Sequence, residues 1–147
     1  MLLRIAELWR TEREGLRSQA AELTHRLRDN TRPLPGTSLG QAELQAALDR
    51  LAHDFDSHWG GFGRAPKFPP ATALSLLLRC HRRFGDAHAL EMVVKTLDMM
   101  ARGGMYDQIG GGFCRYSTDA HWLVPHFEKM LYDNALLAKV YLEGYQA

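Results

Sequence analysis

The stretch from Gly103 to Asn134, GGMYDQIGGGFCRYSTDAHWLVPHFEKMLYDN, decides how the rest of the chain is read. Gly103 and Gly104 open it, and Gly110, Gly111 and Gly112 follow in a row. Glycine reaches φ > 0 conformations closed to other residues, so this opening reads as a loop. Arg115, Tyr116, Ser117, Thr118 and Asp119 then give a polar run. Pro125 suits the first position of a helix, where its missing N–H leaves nothing unpaired. The expectation is a helix from Pro125 to the C-terminus, with His126, Glu128, Lys129, Tyr132 and Asp133 in its first turns. Its later part, ALLAKVYL at 135–142, is apolar all round and is expected to be buried on most sides. A polar, glycine-rich mouth beside a rigid helix start reads as the wall of a site.

A second loop echoes the first. Residues 60–70 read GGFGRAPKFPP, and their prolines and glycines rule out regular structure. Phe62 and Phe68 are expected to anchor that loop in the core, and Arg64 and Lys67 to be displayed. The segment FDSHWGGFGR (Phe55–Arg64) lines up with YDQIGGGFCR (Tyr106–Arg115), sharing Asp, two Gly, Phe and Arg. Two helices lie between the copies, so a repeated helical hairpin of roughly fifty residues is indicated. An even number of intervening helices places both loops on the same side. Each loop would then present an aspartate and an arginine, Asp56 with Arg64 and Asp107 with Arg115, to a shared space.

The remaining segments read as helices. Ile5, Leu8, Trp9, Leu16, Ala20, Leu23 and Leu27 form the stripe of one half-buried helix over 2–28. NTRPLPGTS at 30–38 breaks the pattern, giving a helical segment 1–30, a linker 31–38 and a helical domain 39–147. Ser38 is the expected cap of a helix whose stripe is Leu44, Leu48, Leu51 and Phe55. Residues 71–84 form the next helix, with a basic end favoured by the helix dipole. Asp86 caps a helix over 87–101 with Leu90, Val93, Val94, Leu97 and Met100 in the core, and Gly103 stops it. Strand signals are confined to residues 113–116 and 122–124, which can pair as one short hairpin. The fold class is all-α.

Composition narrows the function. The chain has 147 residues, 46% hydrophobic, with 18 basic residues against 17 acidic ones. That balance argues against a nucleic-acid or polybasic membrane partner. No apolar run approaches a membrane span, and the charged start MLLRIAELWRTERE does not read as a secretory signal. Cys80 and Cys114 form no C-x-x-C pair or disulfide framework, so free thiols in a reducing cytoplasmic setting are expected.

GGFGRAPKFPP, GGMYDQIGGGFCRYSTDAHW and VPHFEKMLYDNALLA resemble a family that includes the bacterial YyaL-like proteins and the spermatogenesis-associated thioredoxin-like protein of animals. The resemblance covers about residues 39–147, and residues 1–30 look like the helical exit from a thioredoxin-like domain. It implies an N-terminal thioredoxin-like domain joined to a six-hairpin-glycosidase-type α/α barrel, similar to N-acylglucosamine and cellobiose 2-epimerases. This chain would then hold only the opening hairpins of the barrel, a fragment or truncated product whose uncovered apolar helix faces favour self-association. The implied parent is carbohydrate-related and of sugar epimerase or isomerase type, with a sugar as substrate, no cofactor and no metal. The fragment alone is expected to be inactive.

Against that background His126 is the first candidate for proton transfer, because histidine titrates near neutrality. Capping the helix or bonding Asp119 is the structural alternative. Glu128, near a helix N-terminus, would be ionised and suits a base or an acceptor for sugar hydroxyls. Lys129 with Asp133 reads as an i,i+4 ion pair, and Glu128 shares a face with Tyr132. Asp107 and Asp56 are candidate carboxylates for acid–base chemistry or sugar binding, or else turn caps. Asp107 with Glu128 is the pair a glycosidase would use. Arg64, Arg115, Tyr116 and Tyr132 are candidate sugar contacts, and Trp122 is either a stacking platform or a core residue. His121, His126, Asp119 and Glu128 do not have metal-site spacing, and neither glycine loop is followed by the G-K-[ST] of a phosphate loop. The rival functions are a glycoside hydrolase on the same scaffold and a non-catalytic helical interaction module partnered with a thioredoxin-like redox domain.

Overall fold

The computed structural model describes residues 2–32, 36 and 39–147. It divides into two compact units, 1–38 and 39–147. The first holds helices α1 (Leu2–Thr11) and α2 (Arg13–Asn30). The single helix expected over 2–28 is interrupted at Glu12, whose backbone (φ −135°, ψ 42°) leaves the helical region. Neither helix buries a side chain, and Ile5, Trp9, Leu23 and Leu27 of the expected stripe are exposed. Helices draw most of their stability from packing, so an unpacked pair has little to hold it straight. Local contacts remain: the Arg13 guanidinium lies 4.5 Å from the centre of the Trp9 ring.

The second unit comprises α3 (Gln41–Asp54), α4 (Ala71–Phe84), α5 (Ala87–Arg102), a two-stranded antiparallel sheet of β1 (Tyr116–Ser117) and β2 (Pro125–His126), and α6 (Leu131–Gln146). The expected all-α class with one short hairpin is what the structure has. Ser38 lies outside the described residues; Gly40 holds the cap position of α3, its N–H donating to Glu43 Oε2 at 2.7 Å. Helix α4 is central and touches α3, α5 and α6. Its Leu74 and Leu77 are fully buried, each contributing about 1.5–3 kcal/mol by leaving water. Gly85 ends α4 in the left-handed region and Asp86 caps α5 as expected, accepting from Ala89 N at 3.0 Å. Gly144 lets α6 approach α5, since a Cβ there would stand 3.0 Å from Leu97 Cδ1. The Tyr141 hydroxyl donates to Leu97 O at 2.7 Å, and burial raises its pKa. Among the described residues, no helix is long and apolar enough to cross a membrane.

Four expectations are corrected. Pro125 does not begin a helix: Pro125 and His126 pair with Ser117 and Tyr116 as β2, and α6 starts at Leu131. The same fixed φ that suits a helix start also suits an edge strand, and here the strand pairing holds it. The hairpin lies a few residues later than expected because Phe113 already bridges back to Tyr106. Helix α6 buries only Leu137 and Val140, while Leu136, Leu142 and Tyr145 face solvent. Val94, expected in the core, is exposed as well.

Candidate functional site

The two echoing loops fold alike, bond for bond. In the first, Asp56 N donates to Gly61 O (3.0 Å) and Gly60 N to Asp56 O (2.7 Å). In the second, Asp107 N donates to Gly112 O and Gly111 N to Asp107 O, both at 2.9 Å. Each aspartate caps its turn through Oδ1, Asp56 accepting from His58 N and Trp59 N, Asp107 from Ile109 N and Gly110 N. The glycine pairs share left-handed φ values, +70° and +77° at Gly60 and Gly61, +72° and +82° at Gly111 and Gly112. Phe55 bridges to Phe62 as Tyr106 does to Phe113.

A lysine locks each loop. Lys67 Nζ reaches Asp56 Oδ2 at 2.5 Å and Gly60 O at 2.8 Å. Lys129 Nζ reaches Asp107 Oδ2 at 2.6 Å and Gly111 O at 2.7 Å. Lys67, expected to be displayed, is 1% exposed and lies 5.5 Å from the centre of the Trp122 ring. Lys129 pairs with Asp107 rather than with Asp133, because it precedes α6 and is not one turn away on it. Burial alone would raise the Asp56 carboxyl, but Lys67 and the N–H groups of Trp59 and His58 carry it below its ordinary value. Lys129, Gly110 N–H and Ile109 N–H hold Asp107 down to about 2. Neither aspartate is poised to release or accept a proton near neutrality. Both do the structural work that was the alternative reading.

The loops meet at one end of the helices. Lys67 and Ser117 exchange backbone hydrogen bonds, at 2.9 and 2.8 Å. Trp122 is fully buried beneath Gly61, its Nε1 donating to Trp59 O at 2.9 Å. It is therefore core and not a platform for a sugar ring. Its backbone is left-handed (φ 64°), held by Gly104 N donating to its carbonyl at 2.8 Å and by Asp119. The Asp119 carboxylate accepts from His121 N, Leu123 N and Val124 N. Burial acts to raise its pKa, and those N–H groups bring it down overall.

Above this floor the hairpin exposes the remaining candidates as one cluster. Arg115 N donates to Glu128 O at 2.7 Å. The Arg115 guanidinium meets Glu128 Oε2 at 2.9 Å, and His126 Nδ1 stands 3.9 Å from the same oxygen. The Tyr116 and His126 rings stack, centres 4.9 Å apart and 19° from parallel. The Phe68 ring also lies against Tyr116, tilted by 33°, with centres 4.8 Å apart. It was expected in the core and is half exposed instead. Arg115, His126 and Glu128 are each 41–48% exposed. So the structure brings Arg115, Tyr116, His126 and Glu128 together and leaves Asp56 and Asp107 in their turns. Arg64 is exposed with no side-chain hydrogen bond among the described residues, and Tyr132, on α6, is exposed beside the cluster in sequence. The Glu128–Tyr132 helical face does not exist, since Glu128 precedes the helix.

Sequence reading missed the two lysine locks and the contact of Phe68 with Tyr116. The lysines were findable in principle, as one follows each echo, but they stand 11 and 22 residues beyond their aspartates. No alignment of the loops at fixed offset pairs them.

No family model matches the chain. Spermatogenesis-associated protein 20 of Homo sapiens is 39% identical over 99% of this chain, and its Mus musculus counterpart is 37% identical over the same share. An uncharacterized protein of Caenorhabditis elegans is 37% identical over 90% of the chain. The chain spans about a fifth of the length of these relatives. Over nearly all its residues, then, the chain is related to one portion of spermatogenesis-associated protein 20, which supports the family that its glycine-loop motifs resemble.

Proposed function

We propose that this chain is part of a larger, carbohydrate-related α/α-barrel protein, and that the Arg115–Tyr116–His126–Glu128 cluster is the edge of its sugar site. The supporting observation is that a histidine and a carboxylate stand 3.9 Å apart on an open rim, the carboxylate fixed by Arg115. Epimerisation beside a carbonyl needs a group that removes a proton and returns it, and the half-exposed His126 imidazole is the side chain we assign to that role. Glu128, ion-paired and exposed, orients the imidazole or accepts sugar hydroxyls. Tyr116, stacked on His126, limits how the ring can turn.

The hydrolase reading is less well supported. It needs two carboxyl groups flanking the bond, one of them protonated. Asp107, held near 2 by Lys129 and two N–H groups, does not serve as that acid. The interaction-module reading draws on the exposed side chains of Leu123, Val124 and Phe127 beside the cluster.

The test is made on the chain and on a protein of the relatives' full length. N-acetylglucosamine and cellobiose are incubated in deuterium oxide, and label at the carbon beside the carbonyl is followed by NMR. Full-length protein should incorporate label, and His126→Ala should abolish it. Cleavage of glycosides would favour the hydrolase. A protein that binds neither sugar and turns over none, while a partner is retained by His126→Ala, would favour the interaction module.

A further inference from the structure

The two loops differ in what covers them. The first loop is roofed by α5. Thr96 Oγ1 accepts a hydrogen bond from Gly61 N at 2.9 Å, and itself donates to Met92 O at 2.8 Å. Helix α5 comes so close that a Cβ on Gly60 would stand 2.8 Å from Thr96 Cα. The second loop has the same turn, the same glycine dihedrals and the same lysine lock, but no such roof. Gly112 N, the counterpart of Gly61 N, has no hydrogen-bond partner among the described residues. At Gly111, the counterpart of Gly60, a Cβ would meet only the Tyr106 hydroxyl, at 3.9 Å.

The uncovered side is a groove of about 550 Å³. Its lining includes the small Ala101 and Ala138, the aromatic Phe113 and Tyr141, and the polar Gln108 and Asn134. The Phe113 and Tyr141 rings are stacked, centres 5.1 Å apart. Alanines at a contact let a helix axis approach closely.

We propose that this groove takes an α-helix of α5's kind, with a threonine or serine placed as Thr96 is, whose hydroxyl accepts from Gly112 N–H. In the relatives, of which this chain spans a fifth, polypeptide outside that fifth supplies it. The groove continues an interface already built once in the same molecule: helix, then glycine loop, then the next helix but one laid across it. The inference stands apart from the sugar chemistry of the rim, which involves none of the groove residues.

The probe is a peptide with the sequence of α5, Ala87–Arg102, stapled on its solvent side between the positions of Glu91 and Asp98. It is titrated into the ¹⁵N-labelled chain. Saturable shifts are expected at Ala101, Gln108, Gly112 and Ala138, with the Gly112 amide moving downfield as it gains an acceptor. A peptide carrying Thr96→Val should bind roughly two- to tenfold more weakly, the worth of one hydrogen bond, and should leave the Gly112 amide unmoved. Ala138→Arg in the chain, at an exposed position, should block binding without unfolding the protein. The proposal is overturned if the shifts map outside the groove, or if the valine peptide matches the threonine one in affinity and in the Gly112 shift. It is equally overturned if dilution of the chain alone moves the same amides, which would make a second copy the occupant.

Discussion

The indole of Trp122 donates to the carbonyl of Trp59 across 2.9 Å, so a side chain of the second loop is the floor under the first. Neither loop is a free-standing turn. The left-handed backbone at Trp122 is tolerated because Gly104 and Asp119 fix it from both sides. Removing the indole should therefore loosen both loops at once. Trp122→Ala is expected to cost about 3–5 kcal/mol, as large core truncations do. Urea unfolding should show a lower midpoint. A loss below about 1 kcal/mol would mean the indole is not the shared floor.

The two lysines should be unequal under substitution. Lys67 is buried, and Lys67→Met leaves the Asp56 carboxylate facing an apolar neighbour. Breaking a buried pair from one side is strongly destabilising, here about 3 kcal/mol. Adding Asp56→Asn should restore part of the loss, because the stranded charge is gone. Lys129 is more than a third exposed, so Lys129→Met should cost clearly less. Denaturation midpoints of the single and double variants decide the matter, and equal losses would contradict the burial difference.

Acid should expose the contribution of Asp107. Its carboxyl sits at about 2 in the folded chain, against 3.8 when unperturbed. A depressed folded-state value means stability that is present in full above about pH 4 and is given up as pH falls toward 2. Asp107→Asn should lower stability at neutral pH and flatten its fall between pH 4 and 2. An unchanged acid limb would show that the carboxylate gains nothing from Lys129.

Alanine at Gly60 and Gly111 should separate strain from collision. Both positions have nearly the same left-handed φ, so both substitutions carry the left-handed penalty of about 1–2 kcal/mol. Only Gly60 has helix backbone in the way, which adds about 1–3 kcal/mol of overpacking. Thermal unfolding should rank Gly60→Ala well below Gly111→Ala.

The rim cluster should be dispensable for folding. His126 and Glu128 are about half exposed, so His126→Ala and Glu128→Gln should each change stability by less than about 0.5 kcal/mol. Their spectra should match the parent chain, which leaves any lost sugar handling to be read as chemistry.

The echo between the loops was visible in sequence because the turn itself needs those residue types. An aspartate must cap, glycines must take φ > 0, and a phenylalanine must tuck back. The start of α6 was not visible. Pro125 fits a helix entry and an edge strand equally, and its partner Ser117 is set by tertiary pairing alone. Lys67 looked like a surface residue because its acceptors lie 7 and 11 residues back, brought near only by the folded turn. Trp122 carried both readings in sequence, and only the carbonyl of Trp59, 63 residues away, assigns it to the core.

The lock returns after 11 residues in one loop and after 22 in the other. The longer return has room for a detour, and the detour is the hairpin that bears Tyr116, His126 and Glu128. The rim residues thus ride on a stretch tethered at both ends by a clasp that does not depend on what lies between. Such a stretch is free to diverge in length and composition while the clasp keeps the glycine turn beneath it in place.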